Sequence, residues 1–396
     1  MPEFRPVPDE DLDAFRRIVR YAFRADRGPR DDADDDGLPP GAEIGDRYGR
    51  YDGDELVATC KHIDFRTRLR GDVHDLHGLS VVASPPEHRR RGHVGALLAD
   101  SLAQSRGEGV HLSALWPFKR SFYAKYGWAT GTRAVRHELD VEALSFAPPY
   151  DGEFVRLDED DWERVDAVHD AHGARYELTM DRTEEWWRKR VFAGWDDDPY
   201  VYGFERGGDL AAYLTYDVRD DDEPALRVMD WACVDHDARL AVLRFVADHD
   251  SQVETASVWT SPTEDLLDLA PDGADGVDAT LRLGPMVRLV DVADALEALS
   301  YPEEVTLDAV FDVSDPLADW NDDAFRVTVS GGTASVERAD READVALGVG
   351  ALSQLSVGYR SASELEAVGD VDADPGVVDA LDDAFPERQP FLREGF

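Results

Sequence analysis

The segment that most constrains this chain is Ser84–Leu98, which reads SPPEHRRRGHVGALL. Three consecutive arginines and Gly92 separate a strand-like run, Leu79–Ala83, from a helical pattern that begins at Val94. Backbone N–H groups at a helix N-terminus lack intrahelical partners, and the helix dipole adds about half a positive charge there. Because glycine also lets a ligand approach the backbone closely, the pattern predicts a phosphate-binding turn between a strand and a helix. A basic surface turn without a ligand is the alternative interpretation.

The arginine run stands out against the charge of the whole chain. Asp and Glu number 85 against 42 Lys and Arg, which gives a formal net charge of −43. The basic residues are almost all arginine, since the lysines are confined to Lys61, Lys119, Lys125 and Lys189. Carboxylate repulsion destabilises a compact state at low salt, whereas in molar salt the Debye length is only about 3 Å. The composition therefore resembles that of halophilic proteins from salt-accumulating cytoplasms, and it disfavours nucleic acid as a partner.

The length of the chain and two changes in its sequence pattern predict three domains. A chain of 396 residues exceeds what one hydrophobic core usually holds, while 43% apolar and 10% aromatic residues are typical of a folded protein. The segment SFAPPYDGEF carries two prolines and a glycine, as an interdomain linker would, and the pattern changes again after Tyr301-Pro302. We therefore expect domains at 1–146, 147–300 and 301–396.

The first of these domains has the element order of a mixed α/β fold. Apolar residues at helical spacing predict a helix in the segment from Asp9 to Phe23, with acids in its first turn, and a second helix from Val94 to Gly107. Strand-like runs precede the arginines, and Val110–Leu115 predicts a further strand.

The two remaining domains differ in style. The second repeats the rhythm of the first, with predicted helices near 160–171 and 239–247 around strand-like runs, which indicates a weak internal duplication. The third has short strands followed by helices, an α+β order of about 95 residues. Its end, PFLREGF, carries two phenylalanines that we expect to be buried.

Cysteine usage and the N-terminus bear on the location of the chain. Cys60 and Cys233 are too few and too far apart for a disulfide framework or a zinc site, so both are expected in the core. The first residues lack the apolar region of a signal peptide, and no run approaches a membrane span. We expect a soluble, cytoplasmic protein without membrane contact. His74, Asp75 and His77 have a weak ligand-like spacing, but no metal site is predicted.

A second motif gives the arginine run a context. After the predicted strand VHLSAL comes Phe122–Trp128, FYAKYGW. The order of elements resembles that of the GNAT family of acetyl-coenzyme A N-acyltransferases: a strand, an RxxGx turn, a helix, a strand and FYxxxGW. One departure is Val94, which stands where that family usually has a second small residue, with Gly95 one place later.

A narrower resemblance covers nearly the whole chain. The chain resembles the Eis (enhanced intracellular survival) acetyltransferases in several features that occur in the same order. These are HRRRG, SALW before the tyrosine motif, a degenerate second acyltransferase-like domain, VDVADALEALSYP and a C-terminal domain resembling sterol carrier proteins. The second domain's equivalent turn, VDHDAR, has no glycine and two acids, so it is expected to act as scaffold. The fold implied is mixed α/β: two tandem GNAT-like domains, the second degenerate, and a sterol-carrier-protein-like α+β domain.

The resemblance also implies a set of site residues for acetyl-CoA. A splayed strand would pair with the pantetheine arm, the arginine turn would bind the pyrophosphate, and two residues after SALW would touch the cofactor. These expected cofactor contacts are Val82, Ala83, Ser84, Arg89, Arg90, Arg91, Gly92, His93, Val94, Gly95, Phe118 and Lys119. Tyr123 would be the general acid for the departing thiolate. The α-carboxylate of Phe396 would take the proton of the amine.

The acceptor is the least determined element. The resemblance implies a small, polycationic amine such as an aminoglycoside or a polyamine, with Phe23, Asp26 and the acid run Asp31–Asp36 as candidate contacts. It also implies a homo-oligomer, a trimer or a hexamer. The competing hypothesis is a non-catalytic sensor or carrier of acyl-CoA or lipid, which needs the arginine turn but neither Tyr123 nor the terminal carboxylate.

Overall fold

The computed structural model describes residues 2–27, 39–195, 197–220, 224–264, 266–270 and 276–396. The acid run Asp31–Asp36 lies outside these residues. The chain divides into two compact units. One unit holds the described residues of 1–36, 45–132 and 284–396, and the other those of 37–44 and 133–283.

The strands of the described residues are numbered in chain order. They are β1 (Glu3–Pro6), β2 (Asp46–Asp52), β3 (Glu55–Leu69), β4 (Asp72–Ala83), β5 (Leu112–Leu115), β6 (Ala129–Thr130), β7 (Arg133–Asp140), β8 (Glu153–Arg156), β9 (Met180–Asp181), β10 (Tyr200–Arg206), β11 (Asp209–Asp220), β12 (Pro224–Cys233), β13 (Thr255–Thr260), β14 (Val277–Leu283), β15 (Met286–Leu289), β16 (Leu307–Ser314), β17 (Asp323–Ser330), β18 (Thr333–Arg338), β19 (Val345–Gly348) and β20 (Val371–Ala373).

The α-helices of the same residues follow the same convention. They are α1 (Leu12–Phe23), α2 (His93–Gly107), α3 (Arg120–Ala124), α4 (Trp162–Gly173), α5 (Glu184–Trp186), α6 (His236–Ala247), α7 (Leu266–Leu269), α8 (Val292–Ala298), α9 (Val349–Ser356), α10 (Ala362–Val368) and α11 (Pro375–Ala384). None of the described helices is both long and apolar enough to cross a bilayer.

The first unit contains a sheet with the path β1-β2-β3-β4-β5-β15-β6. Pairing along it is antiparallel except between β4 and β5, which run parallel. Helix α2 buries Leu97, Leu98 and Leu102 in the core of this sheet, together with Tyr123 and Trp128. Both predicted helices are confirmed, although α1 begins at Leu12, after a 3₁₀ turn over Asp9–Asp11, and α2 begins one residue earlier than predicted.

The same unit contains a second sheet, with the order β18-β17-β16-β19-β20. Its β17–β18 hairpin turns at Gly331 and Gly332, where φ is +58° and +82°, a conformation that favours glycine. Helices α9, α10 and α11 follow the strands. The predicted order of strands and then helices is therefore confirmed for this segment.

The second unit has one sheet, with the order β14-β7-β13-β12-β11-β10-β8. Its core includes Trp231 and Val242 on β12 and α6. Two strands do not follow the order of the sequence: β7 belongs to this sheet, whereas β15 lies between β5 and β6 in the sheet of the first unit. The exact domain bounds 1–146, 147–300 and 301–396 stay predictions.

Candidate active site

The site is built where β4 and β5 separate. The two parallel strands pair only over Leu76–Gly78 and Leu112–Ala114, whereas β4 continues to Ala83. Beyond Gly78 the edge of β4 that faces β5 is therefore left without this pairing. An unpaired strand edge presents N–H and C=O groups to a ligand, as in the addition of an extended strand to a sheet.

A bulge lies in this unpaired part of β4. Thr59 is opposite Ala83 and Lys61 is opposite Ser80, so Val81 and Val82 together face a single residue of β3. Val81 has φ +45°, which is a strained conformation for a β-branched residue. Its carbonyl accepts a hydrogen bond from Thr59 Oγ1 at 3.2 Å. A bulge reorients the backbone groups that follow it, and these belong to the predicted contacts Val82 and Ala83.

Ser84 follows the bulge and uses its polar groups within the protein. Its buried hydroxyl donates to the carbonyl of Val57 at 2.8 Å. Its own carbonyl accepts from Arg89 Nε at 3.2 Å. Ser84 therefore fixes the start of the arginine turn.

The three arginines of the turn have different surroundings. Arg89 is tied to Ser84, and its guanidinium lies 5.3 Å from the ring centre of Tyr21. Arg90 and Arg91 are exposed, and neither has a hydrogen bond or an ion pair with any described residue. In a chain with 85 acidic residues, two arginines without a protein partner form a ready site for an anion.

Backbone geometry opens this turn to a ligand. Arg90 has φ +62°, and Gly92, the N-cap residue of α2, has φ +84°. A Cβ added to Gly92 would meet nothing within 4 Å. The start of the 15-residue helix α2, where backbone N–H groups lack intrahelical partners, thus directly follows the two arginines. Burial and the neighbouring His88 lower the pKa of His93, which favours its neutral form.

Val94 and Gly95 are explained by packing. A Cβ on Gly95 would lie 2.7 Å from Tyr126 Oη, so the glycine makes room for this phenol. The Val94 side chain packs on the core that includes Tyr123. The side chain of Val94 therefore serves the core, and only its backbone is available to a ligand at the helix start.

Tyr123 is held in an aromatic cluster on α3. The side chain is 4% exposed, and its ring centre lies 5.7 Å from that of Phe118 and 5.1 Å from that of Phe122. Burial raises its pKa to about 12. Within the described chain the phenol has no hydrogen-bond partner. Phe118 is 71% exposed, and Lys119 is the exposed N-cap residue of α3.

The C-terminus reaches the point where β4 and β5 separate. The ring centre of Phe396 lies 5.1 Å from that of Phe65 on β3. A Cβ on Gly78 of β4 would be 3.0 Å from two carbons of the Phe396 ring. Just beyond β5, Trp116 Nε1 donates to the carbonyl of Glu394 at 2.8 Å. Of the two phenylalanines of PFLREGF that were expected to be buried, Phe391 is 4% exposed, whereas Phe396 is only partly buried.

The predicted acceptor contacts lie at the end of α1. Phe23 is its last residue and is 56% exposed. Asp26 is exposed in the following turn, Ala25–Arg27. Their contact with an acceptor stays a prediction.

The corresponding turn of the second unit is filled by its own side chains. Asp235, the N-cap residue of α6, accepts from the N–H of Ala238 at 2.9 Å and pairs with Arg206. Its pKa is lowered, first by the hydrogen bond from Arg206. The carboxylate of Asp235 thus occupies the position at the N-terminus of α6 where a phosphate would bind. A cavity of about 160 Å³ lies beside it, lined by residues that include Arg175, Cys233 and Arg239.

Titratable side chains elsewhere form other clusters. Two histidines of the segment VHDLHG, whose spacing weakly resembled a metal site, have other neighbours. His77 Nδ1 is hydrogen bonded to Ser105 Oγ at 2.8 Å, and the ring centre of His74 lies 5.9 Å from that of His111. Among the described residues, metal-ligand atoms of three His, Cys, Asp or Glu side chains come within 4.8 Å of one another only at Asp166, His169 and Asp170. These three lie on α4 of the second unit.

Comparisons with known proteins agree with this architecture. Residues 3–131 and 178–289 match two models of the acetyltransferase (GNAT) domain, and residues 292–393 match the sterol carrier protein domain. The chain is 29% identical to an uncharacterized N-acetyltransferase of Streptomyces avermitilis over 370 residues, 88% of each chain. It is 27% identical to the N-acetyltransferase Eis of Mycobacterium tuberculosis over 378 residues, 89% of each. The chain is an Eis-like N-acetyltransferase.

Solved structures show the same fold over the whole chain. A GCN5-related N-acetyltransferase from Anabaena variabilis has a TM-score of 0.87 at 18% identity, and Eis1 from Mycobacterium abscessus has 0.78 at 22%. Both comparisons cover 100% of each chain. The predicted fold class, two GNAT domains followed by a sterol-carrier-protein domain, is therefore confirmed. This Eis-like chain is an acetyltransferase, and GNAT-fold acetyltransferases use acetyl-CoA.

Three features of the site were missed by sequence reasoning. The Val81 bulge carries no signal of its own, because nothing in SVVAS marks an extra residue. The role of Trp116 in holding Glu394 depends on residues 278 positions apart. Arg70 donates hydrogen bonds to the carbonyls of Ser356 and Ala384, and the sequence gives a local sign only of its tight turn, the Arg-Gly pair.

Proposed function

We propose that this enzyme transfers an acetyl group from acetyl-CoA to an amine of a small, polycationic acceptor, and that it does so in the first GNAT domain. The observation that carries the proposal is the packing of Phe396 on Gly78, where β4 and β5 separate. This packing of the ring supports a role for the terminal carboxylate of Phe396 at the strand edge that a GNAT acyltransferase offers to its thioester.

The cofactor cradle follows from the strand edge and the arginine turn. The backbone of Val82–Ser84 would pair with the pantetheine arm, beside the bulge at Val81. Arg90, Arg91 and the first N–H groups of α2 would bind the pyrophosphate, with charge-assisted hydrogen bonds that no described acid competes for. Arg89 orients the turn through Ser84.

The reaction needs three groups. The neutral amine attacks the thioester carbonyl, and the new C–N bond forms as the carbonyl oxygen takes up negative charge near the N–H of Val82. The C–S bond then breaks, and Tyr123 donates its proton to the leaving thiolate. The proton lost by the amine passes to the α-carboxylate of Phe396, directly or through a water molecule. Coenzyme A and the acetamide leave, and the phenol regains a proton from solvent.

The charge of the chain supports a cationic acceptor. A net charge of −43 attracts polyamines and aminoglycosides, which carry several ammonium groups. Phe23 and Asp26 offer an exposed ring and an exposed carboxylate on neighbouring elements of the first domain. The same charge supports a halophilic protein of a salt-rich cytoplasm. We also propose a trimeric or hexameric assembly, which light scattering in about 1 M KCl would test, since a Debye length of about 3 Å screens carboxylate repulsion.

The transfer is tested by following thiol release from acetyl-CoA with a panel of polyamines, aminoglycosides and monoamines. The assay uses about 2–4 M KCl, above the roughly 1 M at which the Debye length is about 3 Å. We expect turnover that is fastest with polycations. Tight binding of acetyl-CoA without turnover on any amine would instead favour the acyl-CoA sensor.

The role of the terminus is tested by extending the chain with Gly-Ser after Phe396. Because the carboxylate moves away, we expect kcat to fall roughly 100-fold or more, with the Kd of acetyl-CoA unchanged. The matched control carries the same two residues at the N-terminus. If the C-terminal extension leaves kcat unchanged, the carboxylate is not the base.

A further inference from the structure

Arg70 lies at the turn of the hairpin formed by β3 and β4. Its φ is +53° and that of Gly71 is +91°, so both central residues of the turn have positive φ. This geometry matches the twist of the two strands, but a non-glycine residue adopts it at a cost. Although it is in a hairpin turn, where arginine side chains usually extend into solvent, Arg70 is only 7% exposed.

The buried guanidinium of Arg70 is used to bind the C-terminal segment. Its Nε donates to the carbonyl of Ser356 at 3.0 Å. The other two nitrogens donate to Ala384 at 3.0 Å, to Leu355 at 3.3 Å and, more weakly, to Ser300 at 3.5 Å. All four acceptors are main-chain oxygens that lie more than 200 residues away along the chain.

These carbonyls lie at the ends of helices. Leu355 and Ser356 end α9, Ala384 ends α11, and Ser300 lies just after α8. The last carbonyls of a helix have no intrahelical partner and carry the negative end of the helix dipole. One cation thus satisfies the C-terminal ends of several helices of the sterol-carrier-protein domain. The aromatic rings of Phe385 and Tyr301 lie 5.0 and 5.4 Å from the guanidinium carbon.

The geometry of arginine is needed for these contacts. A guanidinium has five N–H donors in a planar fork, whereas the ammonium of lysine is a compact charge with three donors. Lysine at this position would keep the charge, but its single ammonium group could not reach carbonyls that lie around the edge of the planar guanidinium. Loss of the side chain would remove this donor from the carbonyls of Ser356 and Ala384, whereas that of Leu355 also accepts from the N–H of Gly358.

The same hairpin also carries the residues that contact the tail. Phe65 is on β3 and Gly78 is on β4, and both touch the ring of Phe396. The tail, residues 385–396, follows α11, whose last residue is Ala384. Arg70 donates a hydrogen bond to the carbonyl of Ala384, at the start of the tail. The hairpin therefore contacts the C-terminal segment at both ends of the tail: at its start through Arg70 and at its end through Gly78.

We propose that Arg70 is a positioning residue for the acetyl transfer: it fixes the start of the tail on the β3–β4 hairpin, so that the terminal carboxylate of Phe396 is held at the separation of β4 and β5. The inference rests on the proposed role of that carboxylate. Arg70 does not touch the substrate, and it acts through the tail.

The experiment compares Arg70→Lys and Arg70→Ala with the wild type in the full chain. We expect kcat to fall roughly 10- to 100-fold, as for other misplaced catalytic groups, and less in Arg70→Lys than in Arg70→Ala. The Kd of acetyl-CoA should stay within about twofold, since the arginine turn and the β4 bulge are untouched. The control is Arg326→Ala, which removes a partly exposed arginine paired with Asp308 in the same domain.

A second measurement does not depend on activity. Hydrogen exchange followed by mass spectrometry should rise in peptides covering 385–396 of Arg70→Lys, with β16 and β17 unchanged. Unaltered tail exchange, or a kcat equal to that of the wild type in both variants, would overturn the proposal. If Arg70→Ala fails to fold, Arg70→Lys decides. A wild-type enzyme without any acetyl transfer would refute the proposed function, while the exchange data would still report whether Arg70 positions the tail.

Discussion

The ring of Phe396 occupies the space that a side chain at position 78 would need. A Cβ on Gly78 would lie 3.0 Å from the Phe396 ring and 2.6 Å from Phe65 Cε2. The glycine therefore allows the ring of Phe396 to pack closely against the last β4 residue that pairs with β5.

Gly78→Ala should displace the terminal ring. Since overpacking of this kind typically costs about 1–3 kcal/mol, we expect a modest loss of stability, with a roughly tenfold lower kcat and little change in acetyl-CoA affinity. Steady-state kinetics and isothermal titration calorimetry measure the two effects. Gly107→Ala is the control, because a Cβ there meets nothing within 4 Å. Equal kcat in both variants would show that the ring position does not matter for turnover.

Gly92→Asp should weaken acetyl-CoA binding without unfolding the protein. The position has φ +84°, which Asp and Asn tolerate better than other residues, and a Cβ there has open space. A carboxylate at the start of α2 would repel the pyrophosphate beside Arg90 and Arg91, so we expect the Kd to rise about 100-fold.

The matched control for this prediction is Gly92→Asn, which has nearly the same shape without the charge. We expect its Kd for acetyl-CoA to rise much less than that of Gly92→Asp in calorimetry at one fixed salt concentration, because ion screening changes the repulsion. Equal affinities for the two variants would contradict the phosphate-binding role of the turn.

The elements whose signals are local could be predicted from the sequence. Leu97, Leu98 and Leu102 recur at helical spacing, and Gly92 precedes them, so both α2 and its open N-terminus follow from neighbouring residues. The open space at Gly92 agrees with the expectation that this glycine lets a ligand approach the backbone closely, whereas its left-handed conformation had not been predicted.

Features that depend on distant residues could not be predicted in this way. Met286–Leu289 pairs with β5 and β6, and this position depends on strands more than 150 residues earlier in the chain. The burial of Arg70 depends on carbonyls of α9 and α11, which lie 286 and 314 residues later in the chain. A single sequence gives no sign of such pairs, since each partner looks ordinary in its own surroundings.

Tyr123→Phe should slow the reaction and leave the fold intact. Only the hydroxyl is lost, and within the described chain it has no hydrogen-bond partner, so stability should change little. If the phenol is the general acid, kcat should fall roughly 100-fold or more, with unchanged acetyl-CoA affinity. Tyr126→Phe is the control. Similar kcat values for the two variants would remove Tyr123 from the mechanism.

The pKa of Tyr123 adds a pH test to this prediction. A phenol is protonated below its pKa, and burial raises this pKa to about 12. The general acid therefore stays protonated from pH 7 to pH 10, and kcat of the wild type should not fall over this range through its loss. A fall of kcat with an apparent pKa near 9, abolished in Tyr123→Phe, would contradict the buried state of this phenol.

Acid should destabilise the first unit through His62. This histidine is 3% exposed, its Nε2 lies 2.7 Å from Ser101 Oγ on α2, and its ring centre is 5.0 Å from that of His77. Burial, and then the charge of His77, lower its pKa from 6.5 to about 4. Below pH 6.5 the unfolded chain binds a proton that the folded chain does not. The free energy of unfolding should therefore fall from pH 6.5 to pH 4, by about 3 kcal/mol in total.

His62→Gln isolates this contribution, because glutamine cannot take up the proton and can still hydrogen bond to Ser101. Denaturant unfolding at pH 7 and at pH 4.5 should show a smaller loss of stability on acidification in this variant, by about 2–3 kcal/mol. His236→Gln, at an exposed position of the second unit, should keep the wild-type pH dependence. An unchanged pH dependence in His62→Gln would mean that His62 takes up its proton in the folded state as readily as in the unfolded chain.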